Sequence, residues 1–139
     1  MNSHNAQPRL LIRDLDSHED LAQLQAVEKE VWGLADADVL PLTVAIALQS
    51  AGNIFLGAFD RQQLVAFALA FLGHEQGRTT LHSHMLAVLK AYRKLDIGYR
   101  LKQAQRERAL RASVLSVSRR MPHTAKAWSI MSSLASLLT

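Results

Sequence analysis

Three groups of residues in this chain could do chemistry. The first is a basic loop, Arg93-Lys94-Leu95-Asp96-Ile97-Gly98, set between an alternating apolar run and a helical segment that opens Tyr99-Arg100-Leu101-Lys102. A helix start presents backbone N–H groups without intrahelical partners and the positive end of the helix dipole. Strand, basic loop and helix start together offer a place for a phosphate-bearing ligand. The second group is His82 and His84. Two residues apart on a strand, they share one face. Such a pair can hold a metal, with His74, Glu75 or His123 as the third ligand, although no spacing supports any of these. One of the pair could instead act as a general base near an amine, since histidine titrates in the useful range. The plainest reading leaves both as hydrogen-bonded strand residues.

The third group is charged helical residues. Glu28 and Glu30 lie near the end of the first helix and read as a solvated face. Arg100, Lys102, Arg106, Arg108 and Arg111 make a later helix basic. Such a helix could follow an anionic partner. Glu107 interrupts the run and no aromatics interleave with it, so it reads as a solvated face and no nucleic-acid partner is expected. The chain has no cysteine, which excludes thiolate chemistry and a disulfide framework.

The elements that position these groups follow from pattern. Residues 1–8 read as a loose tail ending at Pro8, and Arg9 to Leu15 as a first strand. Ser17 caps a helix, with Asp20 in the capping-box position. Leu21, Leu24, Val27 and Val31 give that helix one apolar face, and Gly33 ends it. Pro41 suits the first turn of a second helix over about 41–50. This helix is apolar nearly all round (Leu42, Val44, Ala45, Ile46, Leu48), which predicts burial. Asn53 to Phe59 and Gln63 to Leu72 read as a hairpin turning at Asp60-Arg61-Gln62. Gly73 to Gly77 reads as a second turn, and Thr79 to Leu89 as the central strand. With 139 residues, 49% of them hydrophobic, the chain suits one domain with a packed core. Its formal charge of +4 is compatible with an anionic ligand. The polar N-terminus lacks a signal-peptide core and no apolar run is long enough for a bilayer, so a soluble cytoplasmic protein is expected.

The stretch Arg93 to Gly98 resembles motif A of the GNAT acyltransferases, Gln/Arg-x-x-Gly-x-Gly/Ala, with Asp96 standing where the motif has its first glycine. Leu81-His82-Ser83-His84-Met85-Leu86-Ala87-Val88, Trp32-Gly33, Gly57-Ala58-Phe59-Asp60 and Leu101-Lys102-x-Ala-Gln-Arg-Glu resemble one poorly characterised branch of that superfamily. The resemblance covers residues 9–111. It implies an α+β fold, a mainly antiparallel sheet flanked by helices and incomplete on its C-terminal side. It implies an acyl-CoA-dependent N-acyltransferase that uses acetyl-CoA as donor and a small-molecule or peptide amine as acceptor. It also implies that the backbone of Leu86, Ala87 and Val88 pairs with the pantetheine arm, and that the acceptor site borders the first helix, where Glu28 could touch substrate. The N–H groups from Lys94 through Leu95, Asp96, Ile97 and Gly98 to Tyr99 would cradle the pyrophosphate, with charge from Arg93 and Lys94. Asp96 is expected to weaken that cradle by repulsion while preserving the turn.

From Arg108 to Thr139 there is no acidic residue, and serine recurs. The related branch carries a Trp-Thr-Phe-Asp-Pro-Leu-like segment here, and this chain does not. Val114 to Val117 could form a short strand and Ala125 to Leu138 an apolar helix. Residues 112–139 therefore read as a divergent segment, of a chain that is truncated, with or without a frame shift, or whose tail is naturally different. The tyrosine that often serves these enzymes as general acid cannot be placed. Losing the final strands would bare a sheet edge, so a homodimer is expected. A non-catalytic binding or dimerising module of the same fold is the second functional reading. A small metal-binding β protein using His82 and His84 is the third.

Overall fold

Apolar runs rich in leucine, alanine and phenylalanine, set between turn signals, build the sheet. β1 (Leu10–Asp14) leads through Leu15 and Asp16 into α1 (His18–Trp32). The Ser17 hydroxyl accepts from the Asp20 N–H at 3.0 Å, as its capping position predicts. Gly33 ends α1 in the left-handed conformation, with φ +62°. α2 (Leu42–Ser50) follows, then β2 (Ile54–Asp60), β3 (Gln63–Glu75) and β4 (Arg78–Val88). A single 3₁₀ turn (Lys90–Tyr92) precedes α3 (Ile97–Arg111), and β5 (Ser116–Ser118) comes last. The computed structural model describes residues 9–111 and 116–118. The strands lie in the order β1-β2-β3-β4-β5, with the first three pairs antiparallel and β4–β5 parallel. The expected α+β class is the one observed.

Side-chain direction separates the two faces of the sheet. The α1 residue Trp32 meets Phe67 edge-on, with ring centroids 6.1 Å apart. The α3 residue Lys102 bonds Ser83, which pairs with Ala70. Phe67 and Ala70 are an odd number of residues apart on β3, so they point to opposite faces. α1 therefore covers one face and α3 the other. The core between these layers holds Leu21, Leu24, Leu56, Phe59, Phe67, Leu69, Leu81, Ile97 and Leu101, each 0–1% exposed.

Three expectations need correction. α2 is not buried all round. Of its residues only Ala45 is buried, and Val44 is 43% exposed. Leu42, Ile46 and Leu48 are half-buried against the core, while Thr43, Val44 and Ala47 face outward. β3 runs beyond Leu72 to Glu75, and the turn tightens to Gln76-Gly77, both with positive φ. Two consecutive left-handed residues match the twist of a hairpin, so the ladder continues almost to the turn. α3 begins at Ile97, two residues before the expected Tyr99. The segment 125–138 lies outside the described residues. The expected short strand at 114–117 overlaps β5. Among the described residues, no helix is long and apolar enough to cross a membrane.

Candidate active site

The site forms where β4 gives way to α3. Leu86, Ala87 and Val88 pair on one side with Ala68, Phe67 and Ala66 of β3. On the other side, β5 pairs with Thr80 to His82, and no described strand pairs with Leu86 to Val88. Among the described residues, this end of β4 has a strand neighbour on the β3 side alone. The ladder above it is interrupted. Leu69 pairs with Met85 and Ala70 with Ser83, which leaves His84 as the extra residue of a β-bulge.

The connection that follows is pinned at several points. The Leu89 N–H donates to the Val65 carbonyl at 2.9 Å, and Arg93 Nε donates to the Val88 carbonyl at 3.1 Å. The Tyr92 hydroxyl donates to Asp60 Oδ2 at 2.8 Å, and this bond raises the tyrosine pKa. The Leu89 and Tyr92 bonds tie the loop to the β2–β3 hairpin, and the Arg93 bond ties it to the end of β4. Asp96 adopts φ +54°, and its carbonyl accepts the Arg100 N–H at 3.1 Å. Asp96 is thus the left-handed residue from which α3 starts, the role for which a glycine would be the ordinary choice. Ile97, Gly98 and Tyr99 form the first helical turn and are not loop residues. Their N–H groups have no intrahelical acceptor, and they face the approach to the loop as a helix N-terminus does. Ile97 is buried and Leu95 half-buried, so these two anchor the turn while Arg93, Lys94 and Asp96 are exposed. The Tyr99 ring is exposed, and its hydroxyl accepts from Gln103 Nε2 at 2.7 Å.

A cavity of about 710 Å³ adjoins this loop on the α1 side, lined by Glu30, Gln63, Leu89, Lys90, Ala91, Tyr92 and Lys94. Lys94 and Glu30 thus line the same cavity. Glu28 does not. It is 1% exposed, and both its carboxylate oxygens accept the Leu40 N–H, at 3.1 and 3.4 Å. Burial pushes its pKa up, against the pull of that bond. Glu28 is therefore neither a solvated residue nor a substrate contact. It holds the α1–α2 connection.

His82 and His84 do share a face, with ring centroids 6.0 Å apart, and the His84 ring lies 4.8 Å from that of Phe71. Desolvation lowers the His84 pKa, and the neighbouring His82 lowers it further. Among the described residues, no group of three histidines or carboxylates could hold a metal ion. The basic face of α3 is only partly solvated. Arg100, Arg106 and Arg111 are exposed. Arg108 pairs with Asp14 at 3.1 Å, and Lys102 turns toward the sheet. Sequence reasoning missed the inward turn of Lys102. Ile97, Leu101, Gln105 and Ala109 are the buried row of α3, four residues apart, and Lys102 flanks that row.

No protein-family model and no curated protein sequence matches this chain. Solved structures do. An aminoglycoside acetyltransferase, meta-AAC0020, from an uncultured soil metagenomic sample superposes with a TM-score of 0.75 at 11% identity, covering 94% of this chain and 87% of its own. The aminoglycoside acetyltransferase AAC(6')-Iy, solved with a CoA-linked bisubstrate analogue, gives 0.72 at 15% identity over 93% and 89%. An acetyltransferase of Trypanosoma brucei gives 0.66 at 19% identity over 90% of both chains. With these superpositions spanning nearly the whole of each partner, the chain has the fold of the GNAT acetyltransferases.

Proposed function

We propose that this chain is an acyl-CoA-dependent N-acyltransferase, transferring acetyl from acetyl-CoA to a small-molecule or peptide amine by direct attack of the amine on the thioester. One observation carries this reading. Among the described residues Leu86 to Val88 have no strand partner on the side away from β3, and β4 leads through the Lys90–Tyr92 turn to the N–H groups of Ile97 to Tyr99 at the start of α3, on the fold of an acetyltransferase. Backbone along Leu86, Ala87 and Val88 would pair with the pantetheine amides. The turn through Arg93, Lys94, Leu95, Asp96, Ile97, Gly98 and Tyr99 would receive the pyrophosphate. Binding both reactants offsets the entropy of bringing them together. We further propose that the chain works as a homodimer in the cytoplasm, without nucleic-acid or membrane partners.

Asp96 favours a second reading, a binding or dimerising module without catalysis. It puts a carboxylate on the residue from which α3 starts, and a carboxylate there would repel a bound anion by order 1 kcal/mol. Two measurements separate the readings. The first is a thermal-shift titration with acetyl-CoA, using CoA and ATP as controls. The second is thiol release on addition of an amine panel that includes aminoglycosides, a clean assay because the chain has no cysteine. A saturable shift, about 2.7 kcal/mol at a hundredfold excess over Kd, with thiol release supports the enzyme. A shift with no release for any amine supports the module. No shift with millimolar acetyl-CoA removes both CoA-based readings.

A further inference from the structure

We propose that Lys102 is itself an acyl-acceptor site, taking an acyl group from an acyl thioester and holding it as a buried amide against the central sheet. The inference rests on the acyl-transfer reading above, and three independent features of the α3–β4 contact carry it.

The first is position. Lys102 Nζ donates to Ser83 Oγ on β4 and to Gln105 Oε1 at 2.9 Å. Ser83 directly precedes the bulged His84 and lies three residues from Leu86, about 10 Å along a strand. A thioester at the end of an arm laid along β4 approaches this point. The second is charge. Lys102 is half-buried, and among the described residues no carboxylate lies within ion-pair distance of it. The groups facing it, Ser83 from β4 and Gln105 from α3, do not titrate near neutrality. Burial alone lowers its pKa to about 8. About a quarter of such amines are neutral at pH 7.5, against about one in a thousand for an ordinary lysine. The third is an unanswered donor. Gln105 is 3% exposed, and its Nε2 is buried with no acceptor. While Lys102 is an ammonium it only donates, so its bond holds Oε1 toward it and turning the amide over would set donor against donor.

Acylation answers all three. The lone pair of neutral Nζ attacks the thioester carbonyl carbon and the N–C bond forms. The C–S bond breaks, and the departing thiolate takes up the proton that nitrogen sheds. The new amide carries no charge to desolvate. Its N–H still donates to Ser83 or Gln105, and its carbonyl oxygen gives Gln105 Nε2 an acceptor. The adduct is a modification, not an intermediate of transfer to an external amine.

The test incubates the full chain with acetyl-CoA, or with the acetyl thioester of N-acetylcysteamine, which lacks the nucleotide. Acetylated sites are mapped by peptide mass spectrometry between about pH 6 and 10. At pH 7.5 Lys102 should label at least about tenfold faster than the exposed Lys90 and Lys94, and its rate should level off above about pH 8 while theirs keep rising. Gln105→Met should slow Lys102 severalfold and leave Lys90 unchanged. If that variant does not fold, the wild-type pH course decides. Labelling of Lys102 by the small thioester alone supports the acceptor site and counts against CoA binding. A thermal shift with acetyl-CoA but no label on Lys102 from either thioester overturns the acceptor site and leaves the CoA reading standing. Labelling no faster than Lys90, with the same pH course, also overturns it.

Discussion

At the scale of single residues, Asp96 joins two effects that substitution can separate. Its φ of +54° is a conformation that glycine adopts freely and other residues reach at a cost of order 1 kcal/mol, with aspartate better suited than most. Its carboxylate also repels an anion at the start of α3. Asp96→Gly should therefore both raise Tm slightly and tighten acetyl-CoA binding several-fold. Asp96→Ala removes the same charge but keeps the backbone strain, so it should tighten binding while lowering Tm. Calorimetry on the two variants checks this, and an affinity for CoA that neither change alters would show that no anion binds there. The Arg13–Asp20 pair makes a different point. Arg13 reaches both oxygens of Asp20, at 2.7 and 2.9 Å, while its guanidinium lies 3.9 Å above the Phe59 ring. The Arg13 bonds hold the Asp20 carboxyl well below the usual carboxylate range, helped by backbone N–H groups and opposed by burial. A lowered folded-state pKa contributes stability above the unfolded value near 4 and loses it as pH falls further. Asp20→Asn should cost about 1–3 kcal/mol at pH 7, since Asp20 is buried but Arg13 only partly so. The gap from wild type should close below about pH 4. A gap that persists in acid would assign the loss to geometry and not to charge.

At the scale of elements, close packing rather than hydrogen bonding sets the tolerance of β2. A methyl group added at Gly57 would come within 2.5 Å of Leu15 Cδ2 and 2.6 Å of Leu64 Cδ1, both in the core. Gly57→Ala should cost about 1–3 kcal/mol, read as a lower denaturant midpoint at constant slope. Local pattern carried most of this architecture. The Ser17 cap, the Gly33 stop, the hairpin at Asp60 and the long apolar strands each express a rule that acts over a few residues, and those rules hold here. The misread parts depend on partners distant in sequence. The apolar composition of α2 speaks of burial, yet whether a neighbour covers each side is decided by tertiary placement. Lys102 looks like surface charge until α3 is seen to press its flank on Ser83. Glu28 sits near the end of α1, beside the exposed Lys29 and Glu30, yet it is buried and takes the N–H of Leu40, twelve residues on. The loop from Arg93 to Gly98 was legible as a strand-to-helix turn. Its earlier helix start follows from Asp96 adopting the left-handed geometry itself.

At the scale of the molecule, β1 forms an outer edge of the sheet with no described neighbour on its far side, and Leu11 there is 58% exposed. Such an edge invites pairing with another chain, although a charged residue such as Arg13 blunts it. Light scattering at high concentration should give a dimer mass, and a clean monomer mass would contradict the proposed assembly. The β3–β4 hairpin divides the molecule in another way. β3 is buried from Leu64 to Ala70, but from Leu72 onward most of its residues, and those of the returning strand up to Thr79, are exposed. At the tip, the Gly77 Cα faces open space. Loop closure costs only about 0.6 kcal/mol for each doubling of length. The ladder beneath the tip is already closed by the pairs from Glu75↔Arg78 inward. Added sequence between Gln76 and Gly77, such as an epitope or a dye-bearing peptide, would hang from a finished ribbon, so this is where the protein can be given a handle without disturbing its interior.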